Sequence, residues 1–464
     1  MTIWNPDLSS HDGPRYRAIA EAIADAVDQG VLAPGDKLPP QRDLAYRLGV
    51  TVGTVSRGYM VAEQRGLVGG EVGRGTFVRG PAIGPHGTKE PILQPAAGAV
   101  LDLGINMATL PAHGDALAAT LQELAQSSGL ENIVRYQHAA GHPEHRAAGA
   151  RFMARVGLRV DPDAVVLAHG AQQALGGSLE ALSRPGDTVL AEALTYSGVV
   201  ENAERVGVRL EGVALDEEGM VPEALDKAAA RTGARLVVIV PTVQNPTAVV
   251  MGAERRAAIA RVAEVRDLTI IEDDVYGYLL PERPPPIATL APERTVYLTS
   301  ASKCLAPGLR VGWLAAPDAY RERIVDVIYA QSVSQPALNH EIITRWLADG
   351  TADRLIAALR DEIAARQALA ETILGGLGPR SNPASFHLIL ELPEPWRRDE
   401  FVAAALAHGI RIVSIASFAV DRSKAKEAVR ISLSAAPDRA VLEEALVTLR
   451  DLAVIGPRAS RAVV

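Results

Sequence analysis

From about residue 100 onward, short apolar runs alternate with Ala-rich stretches of helical spacing, and no other feature of the chain narrows its fold as much. The runs are AVVLAHG (164–170), DTVLAEA (187–193), ARLVVIVP (234–241), DLTIIEDD (267–274) and RTVYLTSAS (294–302). Strands alternating with helices imply an α/β fold with a largely parallel sheet covered on both faces. Functional groups in such sheets gather just past the strands' carboxyl ends. Beyond about residue 330, helical patterns (338–377) precede strand-like FHLILEL (386–392) and VRISLS (429–434), which predicts a smaller α+β lobe.

The N-terminal part has a different rhythm. PRYRAIAEAIADAVDQ (14–29) places Ile19, Ala20, Ile23, Ala24 and Val27 at helical spacing, and Gly30 is suited to end that helix. QRDLAYRLG (41–49) and TVGTVSRGYMVAEQRG (51–66) read as a second and a third helix, with Thr51 as N-cap of the third. LVGGEVGRGTFV (67–78) fits a β-hairpin around a Gly-rich tip. The sum is a winged helix-turn-helix. PAIGPHGTKEPILQPAAG (81–98) has four prolines, three glycines and no periodicity, and reads as a linker able to span on the order of 50 Å. The expected organisation is 1–80, a DNA-binding domain; 81–98, a linker; and 99–464, a cofactor and effector domain whose small lobe starts near 330.

Charge supports this division. The 464 residues carry a net −8, which by itself argues against nucleic acid. Residues 37–80, however, hold seven basic side chains (Lys37, Arg42, Arg47, Arg57, Arg65, Arg74, Arg79) against three acidic ones (Asp43, Glu63, Glu71). The proposed reader is therefore basic inside an acidic protein. No stretch approaches the ~18 unbroken apolar residues of a membrane helix, and the N-terminus lacks a basic-then-apolar signal, so the expected location is cytoplasmic. Cys304, the one cysteine, makes no internal disulfide and no Cys-rich metal site. His138, His142 and His145 do not reproduce HExxH spacing, and no metal is expected.

GDKLPPQRDLAYRLGVTVGTVSRGYMVAEQRGLV followed by GRGTFV resembles the GntR family of winged-helix regulators. The resemblance implies double-stranded DNA as partner, with Arg42, Thr51, Thr54, Arg57, Arg74 and Gly75 facing it, since short polar residues and Arg reach phosphates and base edges in the major groove. Many relatives carry Arg directly after the position of Thr51; here Val52-Gly53 stand there, which thins base readout at that point.

SASKCLAPGLRVGW (300–313), IIEDDVYGYL (270–279), VQNPTA (243–248), AHGAQQAL (168–175) and VRISLS together resemble the fold-type I aminotransferases, which use pyridoxal 5′-phosphate. By that match Lys303 is the Schiff-base lysine, an amine that nearby charges must keep reactive. Arg310, Ser300 and the backbone N–H groups of Gly170, Ala171 and Gln172 at a helix start would hold the phosphate. Asp273, favoured over its neighbours Glu272 and Asp274, would pair with the pyridine nitrogen. Tyr276 and Asn245 would bond the ring hydroxyl, and Tyr196 would stack on the ring. Tyr136 would reach the phosphate of a second subunit, which implies a homodimer. Arg430 would clamp an effector carboxylate. Ala248 stands where relatives of the NPTG pattern have glycine.

The two halves in this order resemble the MocR regulators. The function so implied is a pyridoxal-phosphate-dependent transcription regulator that senses an amino acid or amine through the Schiff base at Lys303. The competing readings are a working aminotransferase with a DNA-binding appendage, and a cofactor-binding sensor that never touches DNA.

Overall fold

A computed structural model describes Trp4, Pro6, Leu8 and residues 14–28, 31–32, 36–64, 67–71, 75–78, 100–107 and 109–457. The chain forms two compact units, Met1–Pro91 and Ile92–Val464. The expected helix stop at Gly30, the tip residue Arg74 and the linker 81–98 lie outside the described residues.

In the first unit, α1 (Arg15–Asp28), α2 (Gln41–Leu48) and α3 (Val52–Gln64) are followed by β1 (Val68–Glu71) and β2 (Gly75–Val78). The apolar stripe of α1 is buried at Ile19 and Ile23, against Leu44, Val55, Tyr59 and Val68. A Cβ at Gly58 would come within 2.9 Å of Ile19, so glycine sets how closely α1 and α3 cross. Gly49, at φ +63°, ends α2 in the left-handed region that other residues avoid. Thr51 Oγ1 accepts the Thr54 N–H at 3.2 Å, capping α3. β1 and β2 pair antiparallel, Val68 opposite Val78, and Lys37 bridges to Phe77 at their edge. This is a winged helix-turn-helix.

The second unit is built on a seven-stranded sheet in the order Val165–Ala168, Gly312–Ala315, Thr295–Ser300, Thr269–Asp273, Leu236–Ile239, Thr188–Glu192, Arg209–Val213. All neighbours are parallel except Gly312–Ala315, which runs antiparallel to both of its partners. The five expected strands are present. Gly312–Ala315 and the edge strand Arg209–Val213 are additions, the first hidden within the SASK motif and the second in polar RLEGV. Every residue of Val165–Ala168, Leu236–Ile239 and Thr295–Ser300 is buried, as expected of strands covered on both faces.

The small lobe is an antiparallel sheet of His387–Glu391, Ala428–Ser432 and Val413–Ser414. The helices Thr351–Leu374 and Arg439–Ile455 share its apolar core. The strand Leu101–Asp102, soon after the linker in sequence, pairs with Ile410–Arg411 and so fastens the entry of this unit to the small lobe.

Candidate functional site

The carboxyl ends of the parallel strands carry the candidate residues. Strand Thr295–Ser300 ends in a 3-10 turn, Ala301–Lys303, whose last residue is the expected Schiff-base lysine. Lys303 Nζ donates to the backbone carbonyl of Asn106 at 2.7 Å. Removal from water and the nearby guanidinium groups of Arg430 and Arg310 bring its pKa down to about 8, with Asp273 acting the other way. Ser300 is engaged in its own turn, accepting from Ser302 N–H at 3.0 Å and lying 2.9 Å from Val311 O.

The three consecutive acids at the end of strand Thr269–Asp273 have three different fates. Glu272 accepts the N–H groups of Ile287 (2.9 Å) and Ala288 (2.8 Å) and faces the buried Arg256. Asp274 is paired with Arg283 at 2.6 Å and accepts the Tyr297 hydroxyl at 2.8 Å. Asp273 Oδ1 is buried with no hydrogen-bond partner. Removal from water, and then the Asp274 charge, push its pKa up to about 7. An uncompensated carboxylate oxygen is costly to bury, so this position favours a ligand that brings a donor or a positive charge.

Around Lys303 stand residues from distant parts of the chain. Tyr276 is buried, edge-on to Phe386 at 5.8 Å, and its hydroxyl accepts from Asn106 Nδ2 at 2.9 Å. Arg430, on the central strand of the small lobe, donates to Asn245 Oδ1 at 2.9 Å and to the carbonyl of Gly104, and lies 4.7 Å over the Phe418 ring. The loop bearing Asn245 takes Ala248 at φ +60°, so alanine adopts the left-handed turn that glycine would make more easily.

Gly170 opens the helix Gly170–Leu182 at φ +77°, and a Cβ there would come within 2.6 Å of Arg310 Nη2. Arg310 is thus packed over the helix start that also presents Ala171 and Gln172. A cleft of about 470 Å³ beside it is lined by His169, Gln172, Arg205 and Arg310 among others, a donor-rich wall suited to an anion. Tyr196 is half-buried, and Gly198 leaves room for its ring. Tyr136 stands apart, 85% exposed.

The three suspected histidines fall in the same region. His145 Nε2 lies 3.1 Å from Glu341, and its ring is near those of His142 and His340. Among the described residues, no group of three or more His, Cys, Asp or Glu side chains is placed to hold a metal.

In the first unit, Arg42 is exposed on the first turn of α2, and Thr51 and Arg57 flank Thr54, which is half-buried, at the start of α3. Arg57 lies 4.2 Å over the Tyr16 ring, which holds the guanidinium out from α3. Gly75 begins β2. Tyr46, 90% exposed on α2, was not foreseen.

Three more residues of the cofactor region were unforeseen: Asn106, His387 and Gln244. Asn106 Nδ2 donates to Tyr276 and contacts His387 Nδ1 at 2.8 Å, while His387 Nε2 faces Gln244 O at 3.3 Å. Gln244 in turn donates to the buried Glu192 at 3.1 Å. A polar residue directly before the Asn-Pro pair and a histidine inside an apolar strand pattern were the available signals.

Residues 15–78 match the bacterial regulatory proteins of the gntR family, and residues 99–449 match aminotransferase class I and II. The chain is 30% identical to the uncharacterized HTH-type transcriptional regulator YdeF of Bacillus subtilis (strain 168), over 97% of this chain and 96% of that one. Its second unit superposes on an archaeal alanine:glyoxylate aminotransferase with a TM-score of 0.71 and 24% identity, covering 77% of this chain and 91% of the other. LysN, the α-aminoadipate aminotransferase of Thermus thermophilus, whose structure holds N-(5′-phosphopyridoxyl)-L-leucine, gives 0.68 and 24%, over 79% and 94%.

A winged helix-turn-helix ahead of a mostly parallel sheet with a lysine at a strand's carboxyl end defines a DNA-binding regulator fused to a fold-type I aminotransferase-like domain. Lys303 and Asp273 lie at or just past the carboxyl ends of strands Thr295–Ser300 and Thr269–Asp273. The chain belongs to the aminotransferase class I and II family and, through its GntR reader, to the MocR-type transcription regulators. No helix among the described residues is long and apolar enough to cross a membrane.

Proposed function

We propose that this regulator binds pyridoxal 5′-phosphate at Lys303 and reads an amino acid or amine effector there, changing how the 1–80 reader, joined through 81–98, binds operator DNA. The observation that carries the proposal is the unpaired, buried Oδ1 of Asp273, left open between two neighbours that are fully engaged. It fits the protonated ring nitrogen of the cofactor. The glycine cradle at Gly170, with Arg310 laid across it, fits the phosphate.

Bound there, the cofactor supplies an aldehyde carbon for which Lys303 and an effector amine compete. The chain's own residues do the rest. Asp273 holds the ring proton, and Arg310, with Ser300 and the N–H groups of Gly170, Ala171 and Gln172, neutralises the phosphate. Tyr196 covers one face of the ring, while Tyr276 and Asn245 face its hydroxyl. Arg430 offers a guanidinium fork to the effector carboxylate. The exposure of Tyr136 suits a residue that completes the site of a partner in a homodimer. In the reader, Arg42, Thr51, Thr54, Arg57, Arg74 and Gly75 contact DNA.

The test is a titration of the loaded full-length protein with amino acids and amines, following visible absorbance together with affinity for its own upstream DNA. A ligand that moves both, and loses both effects in Lys303→Ala, supports the regulator. Unchanged DNA affinity under saturating ligand and in Lys303→Ala sinks it. Lys303, Asp273 and Arg430 gathered in one site also suit transamination, which turnover of an amino donor with a 2-oxo acid would reveal.

A further inference from the structure

We propose that Asn106 is a positioning residue of this site, aiming the Tyr276 hydroxyl at the cofactor ring through its carboxamide, while its carbonyl holds the Lys303 amine whenever that amine is free of the cofactor. The assignment rests on the cofactor reading above and adds to it a residue 170 positions from Tyr276 and 197 from Lys303.

The orientation of the carboxamide follows from its neighbours. His387 is fully buried, and its Nε2 faces a carbonyl, Gln244 O, which only accepts. Nε2 therefore carries the proton, and Nδ1 is left as an acceptor. The Asn106 atom 2.8 Å from Nδ1 must then be the NH₂ group, and its second N–H lies 2.9 Å from the Tyr276 oxygen. Having accepted this bond, the Tyr276 hydroxyl turns its own proton away from Asn106. A hydroxyl that accepts one hydrogen bond is also a stronger donor of the next. Oδ1 of Asn106 remains buried without a partner, a cost expected where a polar group is held for its geometry rather than for stability. Tyr276 is faced by Asp273 and Arg430 as well, and Lys303 by Arg430, Arg310 and Asp273; Asn106 is hydrogen-bonded to both Tyr276 and Lys303.

Donation from Tyr276 to the ring oxygen favours its anionic form with no proton on the adjacent Lys303 nitrogen. Weakening that donor raises the pH at which this nitrogen loses its proton. The test is the midpoint of the visible-absorbance pH titration of full-length protein loaded with pyridoxal 5′-phosphate. Asn106→Ala is expected to raise it by roughly half to one unit, the worth of one modest hydrogen bond. Tyr276→Phe should raise it at least as far, and Asn106→Ala should add nothing in the Tyr276→Phe background. Asn106→Ser, too short to reach both partners, serves as the second variant should alanine impair folding, and should shift the midpoint in the same direction. An unmoved midpoint, or a shift of equal size with and without the Tyr276 hydroxyl, overturns the assignment and leaves the cofactor reading standing. Absence of any Lys303-dependent band in the wild type, checked by borohydride reduction and mass measurement, overturns both.

Discussion

The guanidinium of Arg430 donates to Asn245 Oδ1 at 2.9 Å, tying the central strand of the small lobe to a loop of the large sheet. A carboxylate arriving between the lobes meets a cation already aligned by that bond. Arg430→Lys keeps the charge and loses the fork, so affinity for amino acids should fall by about 10- to 100-fold. Amines without a carboxylate should bind as before, and spectral titration of both ligand classes separates the two.

Under the proposed function, uptake of pyridoxal 5′-phosphate by the apoprotein requires the neutral amine of Lys303. With its pKa brought down to about 8, the uptake rate should rise through pH 8 and then level, well below the range of an ordinary lysine. The neighbours set the sign of each variant. Removing the nearby positive charge in Arg430→Gln should move that midpoint up, and removing the negative charge in Asp273→Asn should move it down. Stopped-flow absorbance across roughly pH 6–10 reads all three proteins.

Asp273 gives a stability prediction with a defined direction. Its folded-state pKa, about 7, is raised above that of an unfolded aspartate, so the protonated acid's contribution is fully present at low pH and is lost as pH rises through 7. At pH 8 the bare carboxylate is a burden on the apoprotein. Asp273→Asn should therefore melt higher than wild type at pH 8, by about 1–3 kcal/mol in stability, with little difference near pH 4. The same variant should bind the cofactor more weakly. A lower melting temperature at pH 8 would contradict this account.

Gly312 packs against Gly170. A Cβ at Gly312 would lie 2.6 Å from the Gly170 carbonyl carbon, a backbone atom with no rotamer to give way. Gly312→Ala should lower stability by more than about 2 kcal/mol and weaken cofactor binding at least tenfold, because the strain falls on the phosphate cradle itself. Thermal melts and equilibrium cofactor titration check the two effects separately.

In the reader, Arg42→Ala and Arg57→Ala should each weaken operator binding and reduce the slope of log affinity against log salt by about one. Arg57→Lys should recover only part of this, since lysine stacks less well on Tyr16. Fluorescence anisotropy over a salt series measures both.

The alternation of apolar runs and helices was enough to give the parallel sheet, because buried parallel strands must be continuous in hydrophobicity. It did not reveal Gly312–Ala315, a short strand that begins inside the lysine motif, soon after the Pro307–Leu309 turn, and runs antiparallel. The placing of Lys303 and Asp273 at strand ends was legible because each sits in a contiguous motif that closes an apolar run. Which of the three adjacent acids was left open was not derivable from the residues themselves: it depends on Arg256, Arg283 and Tyr297 claiming the other two. The partners of Asn106 and His387 were hidden for the same reason at longer range, since they come from chain segments brought together by the two lobes.

The carbonyls of Gly104 and Asn106 accept from Arg430 and Lys303, the guanidinium proposed for an effector carboxylate and the amine proposed for the cofactor. The protein's own main chain thus occupies a donor of each group, and under the proposed function a ligand that takes such a donor has to displace the carbonyl on it. Measured affinities would then report a competition, the intrinsic affinity being scaled down to the fraction of time the segment is unseated.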